Sequence, residues 1–305
     1  MRPVSFTAHN HVTLLHCGAE YFPALIAAID AARFELYLET YIFTLDITGE
    51  EVKDALMRAA ARGVTVNVIT DWLGTGHRQS VLLQQDFRDG GVNHRVFNSW
   101  FRRGVARTHR KICVIDRRVA FLGGLNINHD YISDDGFNTP LPAPRWDIAV
   151  RITGPLVATI HHDMQSQWLL LSGLNLRYRW ELFRERRRTG HTIGHGPAMA
   201  ALVVRDNLRN RRTIQKTYLK ALGAARKSAL LANPYFAPGR KLRDGLASAA
   251  ARGVEVTLLI GVGQFRIQDA VAHSFYPKLL KSGVKVVEYR KTQLHGKVAV
   301  IDDEW

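Results

Sequence analysis

The chain contains itself twice. Four stretches of its first half return in its second half, in the same order. "LIAAIDAARFELYLETYIF" (25–43) is matched by "LKALGAARKSALLANPYFA" (219–237), and "LMRAAARGVTVNVITD" (56–71) by "LASAAARGVEVTLLIG" (246–261). "FRDGGVNHRVF" (87–97) pairs with "LLKSGVKVVEY" (279–289), and "HRKICVID" (109–116) with "HGKVAVID" (295–302). Chance can produce one such match; four in order define an internal duplication. In each copy an Ala-rich helical pattern is closed by Gly63 or Gly253, and an apolar strand pattern follows. Alternating helices and strands predict an α/β fold built from two similar layered halves. At 305 residues and 46% apolar, the chain can give each half a core. The reading places the first half at 1–167, a linker at 168–198 and the second half at 199–305.

Net charge narrows the partners. Against 27 Asp and Glu stand 42 Lys and Arg, a formal charge of +15. Such an excess favours an anionic partner: nucleic acid, anionic lipid or a phosphorylated substrate. Cys17 and Cys113 are too few for a disulfide framework and suit a reducing compartment. The opening "MRPVSFTAHNHVTLLHC" has no long apolar h-region, and no apolar run approaches the about 18 residues of a membrane-spanning helix. If a membrane matters, the expectation is therefore a protein on its surface. The linker carries "WLLLSGLNLRYRWELFRERRRTG" (168–190), with six Arg against two Glu. Its apolar and basic residues suit a helix lying on an anionic surface, or an ordinary packed helix with a basic end.

The last matched stretches carry the chemistry. His109 and Lys111 are two apart, and an apolar run follows them. On a strand, residues two apart share a face, so an imidazole and an ammonium would project side by side. That pairing suits phosphate: lysine neutralises oxygens, and imidazole attacks phosphorus or moves protons. Gly123 and Gly124 allow close backbone approach, and the Asn126 amide can donate to an oxyanion. The second copy supplies His295, Lys297 and Asp302 at the spacing of His109, Lys111 and Asp116. One H-x-K-x-x-x-x-D is a weak signal; two, each ending a matched repeat, are a strong one.

Duplicated H-x-K-x-x-x-x-D motifs, the first followed by "GGLN", resemble the phospholipase D superfamily over nearly the whole chain. "LETYIF", "HRKICVIDRRVAFLGGLN", "WDIAVRITGP", "NPYFAPG" and "LHGKVAVIDDEW" resemble the bacterial cardiolipin synthases, especially the shorter B type without transmembrane helices. The resemblance implies two α/β/α halves about a pseudo-twofold axis, sharing one active site. It implies a phosphohistidine intermediate and transfer of a phosphatidyl group from phosphatidylglycerol to form cardiolipin and glycerol. His109 and His295 would be nucleophile and acid/base, with His109 favoured as nucleophile. Lys111, Lys297 and Asn126 would hold the phosphate, and Asp116 and Asp302 would complete the motifs as braces. Asp147, in "RWDIAV", matches a family position whose carboxylate orients a catalytic histidine. Glu39, with Gly123 and Gly124, would support the site. No cofactor and no metal are implied. The implied partners are an anionic phospholipid and the cytoplasmic face of the bacterial inner membrane, with no nucleic acid; oligomeric state stays open.

In the family the second motif is followed by G-S-x-N and further strands, whereas this chain ends at Trp305. The expectation is a second half shortened at its C-terminus. Other signals are weaker. His191 and His195 have a zinc-like spacing, but "TGHTIGHGP" reads as loop. "GTG" (74–76) and "GVG" (261–263) fall short of a dinucleotide fingerprint. His161 and His162 read as exposed polar surface. Two other function classes fit the charge: a phosphodiesterase or nuclease of the same superfamily, and an inactive membrane- or nucleic-acid-binding protein.

Overall fold

A computed structural model describes residues 4–99, 106–133, 139–171, 194–205 and 210–305. The chain divides into two compact units. The larger comprises Val4–His129 and Ala149–Leu202; the smaller comprises Asp130–Ile148 and Val203–Trp305. The repeat boundary and the unit boundary therefore differ. Residues 130–133 and 139–148 of the first repeat belong by their contacts with the second.

The larger unit holds β1 (Thr7–His16), α1 (Cys17–Asp30), β2 (Glu35–Thr40), α2 (Ile47–Ala61), β3 (Thr65–Asp71), α3 (Trp72–Thr75), α4 (His77–Asp89) and β4 (Asn93–Phe97). After these come β5 (Ile112–Ile115), β6 (Val119–Gly123), β7 (Ile148–Thr153), α5 (Leu156–Leu171) and β8 (Ala198–Ala200). The strand order is β4-β3-β2-β5-β6-β7-β1-β8. Strands β2, β3 and β4 are parallel, and β5 runs antiparallel to β2. The smaller unit holds α6 (Thr213–Ala224), β9 (Ser228–Asn233), α7 (Arg240–Ala251), β10 (Glu255–Gly261), α8 (Arg266–His273), α9 (Tyr276–Lys281), β11 (Lys285–Tyr289) and β12 (Val298–Ile301). Its order, β11-β10-β9-β12, with three parallel strands and an antiparallel β12, repeats β4-β3-β2-β5 strand for strand. The four matched stretches are thus four matched pieces of sheet and helix.

Burial on both faces explains the apolar strands. Leu36, Leu38, Cys113 and Ile115 pack with α1, α2 and α4, whereas Tyr37, Ile112 and Val114 face the other way and meet α5. Strand β5 is therefore buried at every position, as its unbroken "ICVI" requires. In the smaller unit Ala229, Leu231, Val256, Leu258 and Ile260 form the core with α6, α7 and α9. On the opposite face Leu230, Val287 and Val300 are exposed.

Helix α5 overturns one expectation. His161 is 2% exposed, not part of a polar surface. Val157, Ile160, His161 and Met164 form one stripe at helical spacing, pressed on the sheet. His161 Nε2 lies 3.0 Å from Glu35 Oε1, and its ring meets Tyr37 edge-on. Burial works to raise the Glu35 pKa, but His161 and Arg117 outweigh it and hold the carboxyl at about 2. The end of α5 begins the basic linker, where Trp168 stacks under Arg95 at 3.8 Å. The rest of the linker to residue 193, with His191, lies outside the described residues.

Candidate active site

The first H-x-K pair lies on the segment entering β5, just outside the ladder in which the spacing had suggested it. Lys111 is buried and His109 exposed. The Lys111 ammonium lies 3.2 Å from His109 Nδ1 and donates to the His109 carbonyl at 3.3 Å. The residue before the pair fixes the approach. Thr108 donates its N–H to Asp71 Oδ2 at 2.7 Å, and its hydroxyl donates to Glu39. Asp71 ends β3 and also accepts from the N–H groups of Leu73 and Gly74. Burial raises the pKa of Asp71, against the pull of its backbone N–H donors. Glu39, near the end of β2, is fully buried. Burial raises its pKa too, opposed first by Arg110, whose Nε lies 3.5 Å from Glu39 Oε2. Arg110 also reaches Asp163 on α5. The pair thus sits beside the carboxyl ends of parallel strands, the usual ligand edge of an open α/β sheet. Asn126 is buried, and its Oδ1 accepts from the Ile42 N–H at 3.3 Å, which orients the amide with NH2 as its donor end. Gly123 donates its N–H to the Lys111 carbonyl at 3.3 Å, tying β6 to the motif; Gly124 directly follows β6.

The second pair lies in the smaller unit on the segment entering β12. His295 is 2% exposed, and its Nδ1 is 2.6 Å from Asp147 Oδ2. The other Asp147 oxygen accepts from the Ile148 N–H at 2.8 Å. Residues 130–148 are what bring this carboxylate to the second repeat. Trp146 bridges Leu294 in parallel register, its carbonyl accepting from the N–H groups of His295 and Gly296. A Cβ on Gly296 would stand 2.5 Å from the Trp146 ring, so only glycine permits this approach. Arg145, fully buried, ties the segment to itself through the Ile132 carbonyl and Asp130. Lys297 donates to the His295 carbonyl at 2.7 Å and is itself exposed.

Asp116 and Asp302, grouped with the catalytic set by the motif, stand at the far ends of β5 and β12 from the histidines. Each adopts left-handed backbone, φ 51° and 55°, which Asp tolerates better than most residues. Asp116 accepts from the N–H groups of Arg33, Phe34 and Glu35, and Asp302 from those of Arg226, Lys227 and Ser228. These backbone donors lower the Asp302 pKa, Ser228 first. Both aspartates are turn braces. Among the described residues no group of three or more His, Cys, Asp or Glu is placed to hold a metal ion. Sequence reasoning passed over Thr108, Asp71 and Arg110; the visible signal was a carboxylate closing the β3 pattern in "NVITD".

Comparisons with known proteins follow the same lines. Residues 25–165 and 218–305 match the family described as "Cardiolipin synthase, PLD-like domain". Cardiolipin synthase B of Escherichia coli (strain K12) is 37% identical over 308 residues, covering 99% of this chain and 72% of that protein. Cardiolipin synthase 1 of Bacillus cereus is 30% identical over 298 residues, covering 95% and 57%. Among solved structures, phosphatidylserine synthase of Haemophilus influenzae Rd KW20 superposes with a TM-score of 0.66 at 17% identity, covering 98% of this chain and 78% of that one, a likeness of fold.

Proposed function

The chain belongs to the phospholipase D superfamily, on its cardiolipin synthase branch, and from that premise we propose how it transfers a phosphatidyl group. The donor is phosphatidylglycerol. A neutral His109 attacks the headgroup phosphorus, the bond from phosphorus to the glycerol oxygen breaks, and the His295 imidazolium protonates the leaving glycerol. His295, now neutral, takes the proton from a hydroxyl of a second phosphatidylglycerol. That oxygen displaces His109 from phosphorus, releasing cardiolipin and restoring both histidines. Lys111, Lys297 and the Asn126 amide stabilise the charge on the phosphate oxygens.

The buried His295–Asp147 pair carries this reading. A carboxylate at 2.6 Å fixes the ring proton on Nδ1 and leaves Nε2 to exchange protons. The ammonium 3.2 Å from the His109 ring sets a positive charge beside the phosphate that His109 attacks. Opposite charges beside two like groups are how acid and nucleophile roles are separated. Arg110, Glu39, Asp71 and Thr108 position the His109 segment.

The site works at a membrane surface, on its cytoplasmic face. The net charge of +15 and a count of only two cysteines support this, and no helix among the described residues is long and apolar enough to cross a membrane. Each basic residue near an anionic surface contributes about 1 kcal/mol, screened by salt. Sedimentation with vesicles should rise with anionic lipid and fall with salt; equal binding to neutral vesicles at high salt contradicts it. The reaction is tested by thin-layer analysis of phosphatidylglycerol turnover beside a DNA nicking assay. Cardiolipin with glycerol release is expected. Phosphatidic acid alone, or nicked DNA without lipid turnover, would overturn the assignment.

A further inference from the structure

The glycine turn at residues 74–76 has no role in the chemistry above, yet its geometry bears on the reactive pair. A Cβ on Gly74 would stand 2.3 Å from the Tyr41 carbonyl oxygen and 2.7 Å from Cδ2 and Cε2 of the Tyr41 ring. Thr75 donates through Oγ1 to the same carbonyl at 3.3 Å. The turn after β3 is therefore built against Tyr41. The Tyr41 ring in turn meets the His109 imidazole, 4.6 Å between centroids with 39° between planes. Lys111 Nζ lies 5.1 Å from the same ring centroid. One aromatic ring thus touches both members of the first H-x-K pair. The second repeat shares the lysine contact. Tyr235 stands one residue past the position that the sheet register matches to Tyr41, and Lys297 Nζ lies 5.8 Å from its ring centroid.

We infer that Tyr41 is a positioning residue: its electron-rich face holds the Lys111 ammonium and packs the His109 ring, aligning both before phosphate arrives. Tyr235 does the same for Lys297. Its effect is smaller, because the distance is longer and Lys297 is exposed. The attraction arises from the ring quadrupole, so the π face matters and the hydroxyl does not. Gly74 keeps the ring in place by leaving room for it. The inference rests on reading His109 and Lys111 as the reactive pair.

The test compares kcat and KM on phosphatidylglycerol micelles for the wild type, Tyr41→Phe, Tyr41→Leu, pentafluorophenylalanine at position 41, Tyr235→Leu and His109→Ala, with thermal unfolding as a check of folding. Tyr41→Phe keeps the π face and should retain turnover within about twofold. The fluorinated ring has the same shape with its quadrupole reversed, and should lower kcat about 3- to 10-fold with KM nearly unchanged. Tyr41→Leu should fall at least as far, and Tyr235→Leu less. Equal kcat for the fluorinated and phenylalanine proteins would overturn the inference. So would a loss in Tyr41→Phe as large as in Tyr41→Leu, which would assign the role to the hydroxyl. If Tyr41→Leu fails to fold, the fluorinated ring decides. Full activity in His109→Ala would instead defeat the reading of the site. An inactive His109→Ala beside an unaffected Tyr41→Leu would overturn only the inference.

Discussion

Asp147→Asn exchanges one oxygen for an amide nitrogen and changes almost nothing in volume. Asp147 Oδ1 accepts the Ile148 N–H at 2.8 Å, while Oδ2 faces His295 Nδ1 at 2.6 Å. In the variant the carbonyl oxygen keeps Ile148, and the NH2 must donate to Nδ1. The neutral ring then carries its proton on Nε2, the nitrogen that should accept one from the incoming alcohol. Both side chains are nearly inaccessible, 3% and 0% exposed, so water cannot replace the lost bond. A hydrogen bond to a charged group contributes about 1.5–3 kcal/mol. At about 1.4 kcal/mol per tenfold, its loss alone lowers kcat about 10- to 100-fold. The reversed tautomer deepens the loss, so a fall of about 100-fold or more is expected. KM should change by less than about threefold, because the phosphate contacts remain. The assay is cardiolipin formation from labelled phosphatidylglycerol in mixed micelles, with circular dichroism confirming the fold. A folded Asp147→Asn protein with kcat within about threefold of wild type would show that His295 does not depend on this carboxylate.

Other perturbations separate bracing from chemistry. Asp116→Ala should cost about 1–2 kcal/mol in urea denaturation, since three backbone N–H groups lose one acceptor. Its kcat per folded molecule should change little; a collapse of kcat at unchanged stability would make Asp116 chemical. Glu35 is held at about 2, below its ordinary 4.5, so its stabilisation is complete above about 4.5 and lost as pH falls through about 2. Glu35→Gln should therefore flatten the fall of Tm across that window, and parallel curves would contradict this. Turnover should survive EDTA, because the proposed phosphate contacts are Lys, His and Asn donors. Complete loss with rescue by a divalent ion that is not bridging headgroups would sink that expectation.

The repeat was legible because each copy kept its own helix and strand periods. Helix closure at Gly63 and Gly253 and the unbroken "ICVI" both found their places. The H-x-K pairs were legible as chemistry, but not as lying just outside the strands. Two apart on a strand predicts one environment, whereas Lys111 is buried beside an exposed His109. The partnership of Asp147 with His295 could not come from local pattern. It depends on residues 130–148 joining the second repeat, a contact 148 residues apart in sequence. His161 was misread for a simpler reason. Val157, Ile160, His161 and Met164 follow i, i+3, i+4, i+7, and applying that period would have turned the ring inward. Tyr41 had no local signal, since nothing in the pattern says that a ring at a strand end lies under a lysine about 70 residues away.

In the proposed mechanism phosphorus passes through His109, with His295 supplying and removing the proton. An activated phosphodiester whose leaving group needs little protonation should separate the two roles. His295→Ala would still attack it but would turn over slowly, and His109→Ala would form nothing. The measurement is mass spectrometry of protein quenched by denaturant at alkaline pH, where a phosphorus–nitrogen bond survives. An adduct is expected on His109 in the His295→Ala protein and none in His109→Ala. An adduct on His295 in the His109→Ala protein would reverse the roles, and rapid turnover by either variant would contradict the two-histidine mechanism altogether.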